Sequence, residues 1–362
     1  MAERRTSHPY HVYDAVVAQP ALIERVLSQR AAIERAADGV AAKSRLVFVG
    51  IGTSLHAARV SELWTREFTS GRFRAQFEQS FEFLNHPFAL DSEDAVIVFT
   101  HTGTSSASVE AIRRAKSEGA LTVAITGENC GEGARAADFL IETCEQEAAF
   151  AYTKSYTTAL AAVAVLLLRF ADRKKFLPEV TLRASLERVP EWMREALALE
   201  GEVRGVAKKI GALPRIEIFG AGAGWATARE AALKIKESCY IAAEGFETEE
   251  ILHGPFSETD SRAAVIGMLT GKPTDERARQ IFRAAGELPA VRVAITVPSA
   301  NHDIAAEHIL VVPESPEWLS AFVHLVPLQL LNYFLAFERR TNPDTGRQEQ
   351  SAHAAAARHY KY

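Results

Sequence analysis

Three short runs of this chain return at a nearly constant distance. Arg45–Ser54 resembles Arg215–Gly224, Ala95–Thr100 resembles Ala264–Leu269, and Leu121–Thr126 resembles Val291–Thr296. The offsets are 170, 169 and 170 residues. One offset shared by three runs means a duplicated module about 170 residues long. Each run is rich in β-branched and aromatic residues with little polar alternation, which marks strands buried on both faces. In both copies the first run stops at a glycine-rich turn and passes into a helical pattern. Strand, turn, helix, strand is the βαβ unit of a parallel sheet covered by helices.

The predicted class is therefore α/β, with two three-layer α/β/α modules in tandem. Residues 1–44 read as a helical segment, 45–172 as the first module and 173–209 as a charged helical linker. Residues 210–345 read as the second module. Residues 346–362 form a tail of changed composition, rich in Ala, His, Gln and Arg. The apolar run Ala159–Leu168 is about half of what spans a bilayer and reads as a buried core helix. At 362 residues the chain can bury a core in each half without help from disulfides or metals.

The net charge of −5 argues against broad binding to nucleic acid or anionic membrane. Cys130, Cys144 and Cys239 cannot all pair, and none forms a CxxC, so neither a disulfide scaffold nor a zinc site is expected. The start, Met1–Val26, has no apolar core of a signal peptide. A reduced, cytoplasmic protein is the expectation.

Ligands of doubly wound sheets bind at the carboxyl ends of strands, where helix N-termini present free N–H groups. Two such turns in the first module carry hydroxyls: Gly50–Ser54 and Thr100–Ser108. Gly52 and Gly103 would let the backbone approach an anion closely. Ser54, Thr102, Thr104, Ser105 and Ser106 would add side-chain donors. Ser and Thr also cap helices in any protein, and the hydroxyl crowd in the second turn exceeds what one cap requires. Neither turn is a P-loop. In the second module, Gly220–Gly224 with Glu244 invites a dinucleotide reading, although Trp225 stands where a third small residue belongs. The densest acid–base group is Lys234 with Glu237, followed by Glu250 with His253, each pair three apart on a helix face. Such groups can move protons near neutral pH. The same Lys-x-x-Glu spacing also occurs as a solvated surface pair.

At these residues the chain resembles the sugar isomerase (SIS) family. The resemblance runs from about residue 45 to 345, and is closest to the isomerase domain of glucosamine-6-phosphate synthase and related aminosugar-phosphate isomerases and deaminases. It rests on Gly52–Ser54, Thr100–Ser105, Thr153–Thr158, Ala232–Tyr240, Glu250–Pro255 and Val326–Leu331. It implies two tandem SIS modules with flavodoxin-like parallel sheets. It implies that Ser54, Thr100, Thr102 and Ser105, with Gly52, His101 and Gly103, hold a sugar phosphate. Glu237 falls on the carboxylate that shuttles a proton between C1 and C2 through an enediol or enolamine. Lys234 falls on the lysine that assists at the neighbouring oxygen. His253 falls on the histidine that opens the sugar ring, reaching across from a partner subunit, so a homodimer is implied. Glu147 and Tyr152 line the site by the same comparison.

The departures are specific. His101, Thr104 and Tyr152 stand where the family usually has Gln, Glu and Ser. The synthase's carbonyl-engaging tail lysine has its counterpart near Ser351, and the only tail lysine is Lys361. The expectation is a chain without the synthase's glutaminase domain. The expectation is an isomerase or deaminase acting on an amino or N-substituted hexose 6-phosphate. It would need no cofactor and no metal, and would not be a glutamine-dependent synthase. A sugar-phosphate sensor without catalysis is the alternative.

Overall fold

The computed structural model describes residues 3–178 and 180–359. The three repeated runs form corresponding strands. In the first module these are β1 (Arg45–Gly50), β2 (Arg74–Gln79), β3 (Asp94–Phe99), β4 (Leu121–Thr126) and β5 (Phe139–Glu142). In the second they are β6 (Arg215–Gly220), β7 (Ala242–Glu247), β8 (Ala263–Leu269), β9 (Val291–Thr296) and β10 (His308–Val311). The sheet orders are β2-β1-β3-β4-β5 and β10-β9-β8-β6-β7. Read from the other edge, the second order repeats the first, and every pairing is parallel.

Strands β3 and β8 are buried at every residue, as continuous apolar runs covered on both faces should be. Helices supply the cover. Lys154–Arg173 contains the apolar run Ala159–Leu168, and it and the stretch Glu317–Glu338 are long and apolar enough to cross a membrane. Both are buried in the protein instead, over 83% and 100% of their apolar windows. Register is pinned at the strand entries: Arg45 reaches across to its β3 partner Asp94 with bonds of 2.7 and 2.6 Å.

The turns after β1 and β6 are built alike. Gly52 has φ 57 and ψ −127, and Gly222 has φ 57 and ψ −125. Each stands at the head of a helix, Thr53–Phe68 or Ala223–Cys239. A side chain at either position would be strained by the positive φ. Two residues earlier, a Cβ on Gly50 would lie 2.3 Å from the Ser54 carbonyl oxygen, so the strand can pass this close to the helix only as glycine.

The chain forms two compact units that are not contiguous in sequence. One holds residues 21–147 and 154–188 with the final residues, and contains β1–β5. The other holds residues up to 20, 148–153 and 189–354, and contains β6–β10. Two helices, His11–Ser28 and Ala31–Val40, precede β1. Helices Val180–Glu187, Val189–Leu197 and Glu200–Ile210 precede β6.

The residues leading into the tail, and Arg347 within it, are tied down within the second unit. Thr341 Oγ1 donates to the Ser238 carbonyl at 2.7 Å. The Arg347 N–H donates to the Tyr240 hydroxyl at 2.8 Å, with the guanidinium 4.1 Å from the ring centroid. Asp344 caps the first helix, its carboxylate accepting from the His11 and Val12 N–H groups at 3.0 Å each.

Candidate active site

The hydroxyl turn after β3 is a tight loop closed on itself. Gly103 has φ 67, and a Cβ there would meet the Gly131 nitrogen and the Ala134 side chain at 2.9 Å. The Gly131 N–H donates to the Thr102 carbonyl at 2.8 Å. Thr102 Oγ1 accepts from the Thr104 hydroxyl at 2.8 Å, while Thr100 is buried. Ser105 stands at the N-terminus of the helix Ser106–Ser117, yet its side chain makes no capping bond. Gly52 likewise leaves Thr53–Phe68 without a side-chain cap, and Ser54 lies half-buried in that first turn. Capping therefore does not account for Ser105, and both helix starts keep the character that attracts an anion.

His101 is folded under this loop. The position of a Cβ on Gly127 lies 2.4 Å from the His101 ring, so the ring occupies space that only a glycine leaves open. Burial, and then the Lys154 ammonium, push its pKa down to about 4. At neutral pH the ring is uncharged. Its Nε2 accepts the Glu147 N–H at 3.2 Å, which leaves the ring proton on Nδ1. A neutral imidazole with one donor and one acceptor serves as the side-chain amide of glutamine would. Glu147 Oε1 accepts the Ser155 N–H at 2.9 Å, at the start of Lys154–Arg173. Lys154 Nζ pairs with Glu145 Oε1 at 2.6 Å.

The acid–base residues lie in the other unit, on Ala223–Cys239. Lys234 Nζ is 2.8 Å from Glu237 Oε2 and 3.6 Å from Glu230 Oε1. The Lys234, Glu230 and Glu237 side chains are 3%, 1% and 21% exposed. This is a buried row of two carboxylates about one ammonium, and the solvated-pair reading of the Lys-x-x-Glu spacing does not hold. Glu230 is the member that sequence reasoning missed. Its spacing could have found it, since a residue four before Lys234 faces it on a helix. Glu237 is the member of the row that keeps access to the surroundings.

His253 follows a single 3₁₀ turn, Glu250–Leu252, instead of sharing a helix with Glu250. Gly254 at φ 126 and Pro255 end the turn at once. The partner of His253 is Glu249, at 3.2 Å, and Glu249 is itself gripped by Arg277 at 2.6 and 2.8 Å. The imidazole side chain is 71% exposed. Tyr152 belongs to the same unit as Lys234 and is half-buried. Ser351 is the exposed first residue of the short helix Ser351–Ala356. Lys361 lies outside the described residues.

The SIS domain matches this chain twice, over residues 40–169 and 212–339. The glutamine–fructose-6-phosphate aminotransferase (isomerizing) of Pyrococcus horikoshii is 30% identical over 305 residues, 84% of this chain and 50% of that protein. This chain thus spans about half the length of the curated relative it matches. The C-terminal domain of glucosamine-fructose-6-phosphate aminotransferase from Francisella tularensis superposes with a TM-score of 0.88 at 19% identity, covering 95% of this chain and all of that one. Tagatose-6-phosphate ketose/aldose isomerase from Escherichia coli gives a TM-score of 0.79 at 20% identity, covering 95% and 97%. Each matched stretch carries one of the two five-stranded sheets, and together they place the protein in the SIS domain family.

Proposed function

We propose that this protein is a phosphosugar isomerase or deaminase acting on an amino or N-substituted hexose 6-phosphate. The observation that carries the reading is the buried Glu230–Lys234–Glu237 row. Glu237 takes the proton from C2 of the open-chain aldose form and returns it to C1, while a proton passes from the C2 hydroxyl or amine to O1. The intermediate is an enediol or enolamine. Lys234 balances the negative charge that develops on the neighbouring oxygen. If an amine sits on C2, the resulting imine can take up water and release ammonia or the substituted amine.

The hydroxyls of Ser54, Thr102 and Ser105 and the uncapped helix starts beside them hold the phosphate. His101 supplies a neutral hydrogen-bonding group in that loop. His253 opens the sugar ring, and its exposure in the single chain suits a histidine that serves the site of a second copy in a homodimer. One similar protein is named as isomerizing and another as a ketose/aldose isomerase, which supports the reaction class.

The test is Glu237→Gln, which keeps the shape and removes the base. Turnover of hexose 6-phosphates and their 2-amino forms should fall by about 10²–10⁴-fold, while sugar-phosphate binding by calorimetry persists. Equal loss of binding and turnover would remove Glu237 from the proton path.

A further inference from the structure

The two modules present the same pair of turns, after their first strand and after the strand paired to it, and furnish them with opposite chemistry. After β1 the glycine turn leads into Thr53 and Ser54; after β6 it leads into Ala223 and Gly224. After β3 the loop carries Thr102, Thr104 and Ser105, and its helix begins at Ser106. After β8 the loop is Thr270–Thr274, and its helix Asp275–Glu287 begins with an acid.

That acid does not face water. Asp275 is 4% exposed, and its carboxylate turns back onto the strand end. It accepts the Gly271 N–H at 2.7 Å and the Thr270 N–H at 3.1 Å. At the companion turn, the Glu317 carboxylate lies near the Ala223 N–H, which favours its charged form. Burial pushes the Glu317 carboxyl up, the Lys272 ammonium draws it down, and Asp275 is close enough to push it up again. The two acids and Lys272 therefore act on one locality. A helix start and its loop amides bind anions, and here the anions are the chain's own.

We infer that the second module carries the counterpart of the first module's phosphate site, closed by the carboxylates of Asp275 and Glu317. They take the place of a ligand's acidic oxygens, so that phosphate binds once per chain, in the first module. The inference rests on the phosphate reading of the hydroxyl loops given above. A tethered carboxylate acts at an effective concentration of millimolar or more, which free phosphate does not displace under ordinary conditions.

The test uses the full chain labelled with ¹⁵N and titrated with inorganic phosphate. In the wild type, the amide resonances of Thr102–Ser106 shift, and those of Ala223, Thr270 and Gly271 do not. In the Asp275→Ser/Glu317→Gln variant the second set shifts as well, and equilibrium dialysis finds two phosphates per chain instead of one. Shifts at Thr270 and Gly271 in the wild type comparable to those at Thr102–Ser106 overturn the inference. So does a variant that folds, by its unchanged remaining spectrum, and gains no site. If the variant does not fold, the wild-type titration decides alone. Silence at Thr102–Ser106 overturns the phosphate reading of the first module instead, and a gain of one site in the variant still upholds the closed second module.

Discussion

Glu230 stands one helical turn ahead of Lys234, its Oε1 3.6 Å from the ammonium, and both side chains are almost fully withdrawn from water. A charge buried this way is tolerable only with its counter-charge in place. Lys234→Met should therefore destabilise the protein by about 3–5 kcal/mol, because it removes the ammonium beside the buried Glu230 carboxylate. Adding Glu230→Gln should recover a good part of that loss. Urea denaturation of the two single variants and the double variant measures the coupling; strict additivity would mean that the pair is not the reason Lys234 is tolerated.

The glycine turns offer a matched comparison. Gly52 and Gly222 share φ 57, so replacing either with alanine meets the same backbone penalty, about 1–3 kcal/mol. Only Gly52→Ala should also weaken phosphate binding, since the second turn holds Glu317. Denaturation midpoints beside phosphate titrations separate the two effects, and equal loss of affinity in both variants would contradict the division of labour.

His101 makes stability depend on pH with a definite sign. Its pKa falls from 6.5 to about 4 on folding, chiefly through burial, so in that interval the unfolded chain binds the extra proton. The contribution is fully present above about pH 6.5 and is lost as pH falls through about 4. His101→Gln should keep the hydrogen-bonding character and flatten this part of the stability profile. Stepped-pH denaturation of both proteins is the check, and parallel profiles would mean that the ring is not held neutral.

If His253 serves a second copy's site, inactive variants should rescue each other. Mixing Glu237→Gln with His253→Ala under conditions that exchange subunits should restore activity, because one site in each mixed dimer regains both groups. Absence of rescue, with exchange shown by mass spectrometry, would confine each site to one chain.

Much of the architecture was legible because it is local. Runs such as Ala95–Phe99 are strands by their apolar continuity, and Gly50 and Gly52 mark the turn by the contacts and dihedral that only glycine allows. The burial of Lys234 was not legible, since Lys-x-x-Glu spacing is the same on a wet face and a dry one; what covers the helix is decided by chain far away in sequence. The same holds for His101, whose neutrality depends on Gly127 beneath it and Lys154 beside it. Asp275 reads as an ordinary helix-start acid until its carboxylate is seen to turn inward.

The cap that Asp344 places on the helix beginning at His11 has a temporal side. The two partners are separated by more than three hundred residues, so during synthesis the helix start leaves the ribosome long before its acceptor exists. At about 5–20 residues per second the wait is roughly twenty seconds to one minute. Through that interval residues 21–188 contain everything needed for their own sheet, whereas the first turns of the chain have only water to satisfy their amides. Assembly order is thus written into the connectivity: the sheet of the unit with the hydroxyl loops can form once residue 188 has emerged, whereas the unit with the acid–base row waits for chain that runs to residue 354.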